Sequence, residues 1–180
     1  MREFVTEKVK HIKPSGIRKF FYIVSEMPDA ISLGVGEPDF DTPWHIREEG
    51  IRSLKAGRTF YTSNAGLMPL RQEISRYIKD RLQLDYDPES EVMVTVGGSE
   101  AIDIAFRTVL EPGDEVVIPE PAFVSYVPCV QLAGGVPVTI PLKAENEFRL
   151  KPWELEAAIT PKTKALLLSY PNNHTGAIMT

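Results

Sequence analysis

The apolar positions change their period near residue 92. Ahead of it they recur at helical spacing: Ile17, Phe20, Phe21 and Val24 share a stripe that predicts a helix over 15–27, and Leu67, Leu70, Ile74, Tyr77 and Ile78 predict another over 66–84. Between them, Asp41-Thr42-Pro43 reads as a helix start, a capping side chain and then a proline where no amide hydrogen is needed, for a helix over 43–56 that stops at Gly57. Residues 31–33 read as a short extended piece entering Gly34-Val35-Gly36-Glu37-Pro38, a loop dense in turn formers.

Beyond that point short apolar runs alternate with helical stretches. Runs at 92–96, 115–118, 136–140 and 165–168 predict strands. Helices are expected from Gly97-Gly98 to about Leu110, with Ile102, Ala105, Phe106 and Val109 on the apolar face, and over 124–133 and 153–159. Nearly continuous apolar strands alternating with helices predict an α/β fold, a mostly parallel sheet flanked by helices on both faces. The loop-rich start reads separately, giving an N-terminal arm and small-domain segment over 1–42 and the first part of a larger domain over 43–180. The sequence ends at Thr180, just after an apolar run and a Gly-containing loop, where a doubly wound fold would continue, so a truncated chain is expected.

Composition narrows the function classes. With 180 residues, 43% apolar and 25% charged, the chain can bury a core. Twenty basic against twenty-five acidic side chains give a net charge of −5, and no basic run stands out. That balance argues against nucleic acid or an anionic membrane surface as partner. Cys129 is the only cysteine, which excludes an intrachain disulfide and a cysteine metal cluster. The first ten residues lack the apolar core of a signal peptide, and no run approaches the roughly 18 apolar residues of a membrane span. A cytoplasmic location is expected.

Three loops follow predicted strands, where open α/β sheets bind ligands. Gly97-Gly98-Ser99-Glu100 opens a helix: glycines let amides approach an anion, the helix end adds partial positive charge, and Ser99 adds a hydroxyl. Glu100 is expected to turn away from such an anion. Neither the Walker pattern nor Gly-x-Gly-x-x-Gly is present. Pro119-Glu120-Pro121-Ala122-Phe123 presents an aromatic that could stack on a flat heterocycle. Ser169-Tyr170-Pro171-Asn172-Asn173-His174-Thr175-Gly176 presents asparagines that could donate to a ring oxygen. Each loop also reads as ordinary structure: a tight βα turn, a core phenylalanine, a polar turn. Gly36 could offer a bare amide to a carboxylate, and Tyr61 a hydroxyl just ahead of a helix.

Order and spacing carry more than any single loop. Leu33-Gly-x-Gly-Glu-Pro-Asp-Phe-x-Thr-Pro, Tyr61-Thr-x-x-x-Gly66-x-x-x-Leu70-Arg71, Val94-Thr-x-Gly-Gly-Ser-Glu-Ala-Ile102, Pro112-Gly-Asp-Glu-Val116 and Pro171-Asn-Asn-x-Thr-Gly176 closely resemble the class I/II aminotransferases, pyridoxal-phosphate enzymes of the aspartate aminotransferase fold. The resemblance runs from about Ser15 to Thr180, and within the family it is to the prokaryotic aspartate, aromatic and N-acetyl-diaminopimelate types.

The resemblance implies the large domain of that fold, incomplete, and pyridoxal 5'-phosphate as cofactor. It implies Gly97, Gly98, Ser99 and the Glu100 amide around the cofactor phosphate, Phe123 stacked on the ring, and Asn173 on the ring hydroxyl oxygen. Tyr61 would reach the phosphate of a neighbouring subunit in a homodimer, and Gly36 would read the substrate carboxylate. The activity implied is transfer of an amino group between an amino acid and a 2-oxo acid, with a β-lyase, a decarboxylase or a non-catalytic sensor domain as the other uses of the fold. In the family the Schiff-base lysine, the aspartate on the ring nitrogen and the arginine for the substrate carboxylate fall beyond position 180. This chain therefore holds no catalytic residue of its own and is expected to be inactive alone. His174 stands where the family has proline after a bond that is commonly cis. Asn173–His174 is accordingly expected to be cis, or trans with Asn173 displaced, because a cis bond before a non-proline residue costs about 2.5–4 kcal/mol.

Overall fold

The computed structural model describes residues 3–12, 16, 20, 22–24, 26, 27, 29, 31, 36 and 38–179. The chain falls into two compact units, Met1–Pro14 with Thr95–Thr180, and Ser15–Val94.

The first unit is built on a parallel three-stranded sheet. Strand β1 (Glu115–Glu120) lies between β2 (Val136–Pro141) and β3 (Thr163–Leu166). Glu115 pairs with Val136 and the register runs on to Glu120 with Pro141, while Val116 and Val117 pair with Ala165 and Leu166 past an irregularity at Glu115/Val116. A central strand covered on both faces must be apolar on both, and it is: Val116, Val117 and Ile118 are fully buried. Val116 and Ile118 pack with Phe106, Leu110, Cys129 and Val130. Val117 packs on the other face with Ile140, Leu142 and Leu150. Each such side chain contributes about 1.5–3 kcal/mol relative to its exposed state.

Helices α4 (Gly97–Val109) and α5 (Tyr126–Ala133) supply the first face, and α6 (Pro152–Ala158) contributes Leu155 and Ala158 to the second. The short α1 (Glu7–Lys10) belongs to the same unit. The strands at 115–120, 136–141 and 163–166 and the helices at 97–109, 126–133 and 152–158 lie within a few residues of the sequence expectation.

The expected strand at 92–96 does not form. Residues 92–95 join no ladder; the Val94 amide donates instead to the Ala65 carbonyl at 3.0 Å, and Val96 is 91% exposed. A β-rich run becomes a strand only where a neighbour accepts its hydrogen bonds, and no partner strand lies beside it among the described residues.

The second unit carries α2 (Trp44–Lys55) and α3 (Met68–Leu82). Asp41 does not cap α2. Pro43 is the N-cap, and the Asp41 carboxylate accepts from Arg47 at 3.1 Å instead. No residue of α2 is buried, and in α3 only Arg71 and Ser75 are; of the predicted apolar stripe, Leu67, Leu70 and Tyr77 are exposed while Ile74 and Ile78 are half-buried. Arg71 donates to the carbonyls of Pro88 at 2.9 Å and Glu89 at 3.1 Å, which anchors the segment after α3. Of the helix expected over 15–27, residues 20 and 22–24 are described and helical; Ile17 and Phe21, and the extended piece at 32–33, lie outside the described residues.

Candidate functional site

Three loops meet at the carboxyl end of the sheet in the first unit. They follow β1, follow β3, and open α4.

The α4 end starts with Gly97 at φ +80, a conformation that favours glycine. Its amide donates to the Thr95 carbonyl at 3.0 Å, so Gly97 supplies the turn rather than a free donor. No side chain caps the helix. The amides of Gly98 and Ser99 belong to the first turn, which has no acceptor one turn back. The Glu100 carboxylate accepts from the Val96 amide and so is committed to the chain's own backbone. A Cβ added at Gly98 would meet nothing within 4 Å, and its φ is ordinary. Neither backbone conformation nor packing within the protein accounts for glycine there, whereas a bound group lying against the backbone would.

The loop after β1 carries Phe123, half-buried, with its ring edge-on to Tyr126 at 5.7 Å and 76°. The side chain of Ser125, the N-cap of α5, does not cap its own helix; its hydroxyl oxygen lies 3.2 Å from that of Ser99. The starts of α4 and α5 thus converge, and Cys129 Sγ sits 4.0 Å from the Ser99 carbonyl oxygen behind them. Burial holds the Cys129 thiol above its usual range, with Asp103 adding to the effect.

The loop after β3 carries both asparagines. Asn172 is 6% exposed; Asn173 and His174 are exposed. The Asn172 side chain donates to the Pro121 carbonyl at 2.9 Å and accepts from the amides of His174 and Thr175 at 2.9 and 3.0 Å. The Tyr126 hydroxyl donates to Ser169 Oγ at 3.2 Å. Among the described residues the cis bonds precede Pro121 and Pro171, and Asn173–His174 is trans.

Ser99, Phe123 and the Asn172–Asn173 turn are therefore brought together by a continuous set of contacts. Gly36 and Tyr61 belong to the other unit; Gly36 is exposed, and Tyr61 is fully exposed at 106%. Sequence reasoning missed Ser125 and Tyr126 and named Ser169 and Asn172 only as members of their loop; the partner of each lies in a different loop. Among the described residues no group of three or more His, Cys, Asp or Glu could hold a metal ion, and no helix is long and apolar enough to cross a membrane. Chemically the arrangement is a helix start with first-turn amides beside an aromatic ring and an amide-bearing turn.

Known proteins share this sequence and shape. The family model for aminotransferase class I and II matches residues 28–180. A putative aminotransferase YugH of Bacillus subtilis is 52% identical over 99% of this chain and 46% of its own length. An aromatic-amino-acid aminotransferase 2 of Thermococcus litoralis is 46% identical over 98% of this chain and 45% of its own. Among solved structures, Thermus thermophilus aspartate aminotransferase with maleate matches at TM-score 0.89 and 39% identity over 99% of this chain and 47% of that one. The chain spans slightly under half the length of these relatives. In sequence over nearly its whole length, and in the α/β fold of the aspartate aminotransferases, the chain belongs to the class I and II aminotransferase family.

Proposed function

We propose that this chain forms the cofactor-phosphate side of a pyridoxal-phosphate-dependent aminotransferase exchanging an amino group between an amino acid and a 2-oxo acid. The observation that carries the reading is Gly98: it opens an uncapped helix, has free space above it, and sits beside the loops of Phe123 and Asn173.

The residues present fit the group. The amides of Gly98 and Ser99, with that of Glu100 behind them, and the Ser99 hydroxyl hold its phosphate, and the helix end adds partial positive charge. Phe123 covers one face of the ring, and Asn173 donates to the ring oxygen. When bound, the cofactor supplies an electron-accepting ring for the charge that develops at the amino acid's α-carbon. Gly36 receives the substrate carboxylate, and the exposed Tyr61 reaches the phosphate in a neighbouring subunit of a homodimer. In the full-length protein, residues 1–42 form an arm and small-domain segment and 43–180 the first part of the large domain; the protein works in the cytoplasm.

The test is product analysis of a full-length protein carrying this sequence, supplied with pyridoxal phosphate, glutamate or aspartate, and a 2-oxo acid. Amino-group exchange is expected. Elimination or decarboxylation products in its place would overturn the reading. The chain by itself is expected to show no exchange above that of free cofactor.

A further inference from the structure

We infer that Asn172 and Tyr126 are positioning residues: they clasp the Phe123 loop to the Asn173 turn and so set the slot for a flat phosphorylated ring. The inference rests on the cofactor reading above and adds two residues to it.

Asn172 uses every polar group it has. Its amide donates to Ala177 at 2.8 Å, and its carbonyl accepts from Gly176 at 2.9 Å. Its Oδ1 accepts from His174 and Thr175, and its Nδ2 donates to Pro121, 51 residues away. The turn itself needs only the acceptor, as asparagine in such turns ordinarily supplies. The donor to Pro121 contributes nothing to the turn; what it does is tie the loop after β3 to the loop after the adjacent β1. Because Asn172 is buried, that bond is sheltered from water, and Pro121 precedes Phe123 by two residues.

Tyr126 makes a second tie between the same loops. Its hydroxyl reaches Ser169 at 3.2 Å, and the edge of its ring stands against Phe123. Phe123 is thereby fixed from behind by an aromatic whose far end is anchored on the asparagine loop. One bond sets the backbone of the Phe123 loop, and the other sets the tilt of its ring. Neither side chain needs to touch the ligand.

The test compares the wild-type chain with Asn172→Ala and Tyr126→Phe by equilibrium dialysis against pyridoxamine phosphate, by the circular-dichroism band of the bound ring, and by amide hydrogen exchange. Pyridoxamine phosphate has no aldehyde to react with surface lysines. Both variants are expected to bind about threefold to tenfold more weakly, as loss of one hydrogen bond implies, with a smaller band per bound ring. Exchange at the His174 and Thr175 amides should quicken in Asn172→Ala and stay slow in Tyr126→Phe. If Asn172→Ala does not fold, Tyr126→Phe, which removes one oxygen, carries the comparison. Wild-type affinity and band in a folded variant would overturn the positioning role. Unchanged exchange at those two amides in a folded Asn172→Ala would overturn the turn contacts from which Asn172 reaches Pro121, whatever the ring does. A wild-type chain that binds no pyridoxamine phosphate would overturn the cofactor reading and the slot with it, and the exchange result then reports on the Asn172 turn alone.

Discussion

The carboxylate of Glu100 accepts a hydrogen bond from the backbone amide of Val96, the residue just ahead of α4. An acid in the first turn suits the helix dipole, and here it also satisfies one of the donors that the helix start leaves over. The charge is thereby occupied by the chain's own backbone, beside the proposed phosphate site. Glu100→Ala should cost about 0.5–1.5 kcal/mol in urea unfolding, the range for loss of one hydrogen bond. Glu100→Gln keeps an acceptor oxygen and should recover most of the loss. Equal stability of wild type and Glu100→Ala would show that the contact carries no weight.

Gly66 is fixed by the protein itself. It sits at φ +93, and a Cβ there would lie 2.8 Å from Val94 Cβ. Gly66→Ala combines backbone strain with an overpacked contact, each costing about 1–3 kcal/mol. A clear drop in melting temperature is expected, and an unchanged one would contradict the packing of Val94 against this turn.

Cys129 is buried, and its thiol is pushed up by that burial. The thiolate is the reactive form, so iodoacetamide should modify native chain more than about tenfold more slowly than urea-unfolded chain near pH 8. Equal rates would place the thiol at the surface.

Asp87 is held below the usual carboxylate range, first by the Ser90 hydroxyl at 2.5 Å and then by the Glu89 amide at 3.0 Å. A carboxyl whose pKa is lowered on folding adds stability above its unfolded value of about 3.9 and loses it as pH falls through the lowered folded value. Asp87→Asn should therefore flatten the acid limb of the stability profile and leave its slope near neutrality unchanged. Superimposable acid limbs in chemical unfolding would refute this.

Much of the fold was legible because burial leaves a plain mark. A strand covered on both faces must be apolar where it is covered, as Val116, Val117 and Ile118 are in β1, and a helix end such as Gly134 is punctuated by its glycine at φ +95. The errors fall where a partner decides. Residues 92–96 have strand composition but no neighbour to pair with among the described residues, and Asp41 could cap a helix but is taken by Arg47. The stripe of α3 is covered only at Ile74 and Ile78, because period reports which face could be covered and not how much of it is. At the site, glycines and an aromatic could be nominated from their types alone. Asn172 could not, since its role depends on a carbonyl 51 residues away.

On the proposed reading, Gly98 is glycine for the sake of a bound phosphate. Alanine there meets no protein atom within 4 Å and should stabilise the helix by up to about 1 kcal/mol. The decisive measurement is the affinity of wild type and Gly98→Ala for pyridoxamine phosphate and for pyridoxamine, which lacks the phosphate. The phosphate is expected to tighten wild-type binding at least about tenfold, as charge-assisted bonds to backbone amides imply, and Gly98→Ala to lose most of that gain while melting no lower. Equal affinity of the wild type for both compounds, or an undiminished phosphate gain in Gly98→Ala, would contradict it.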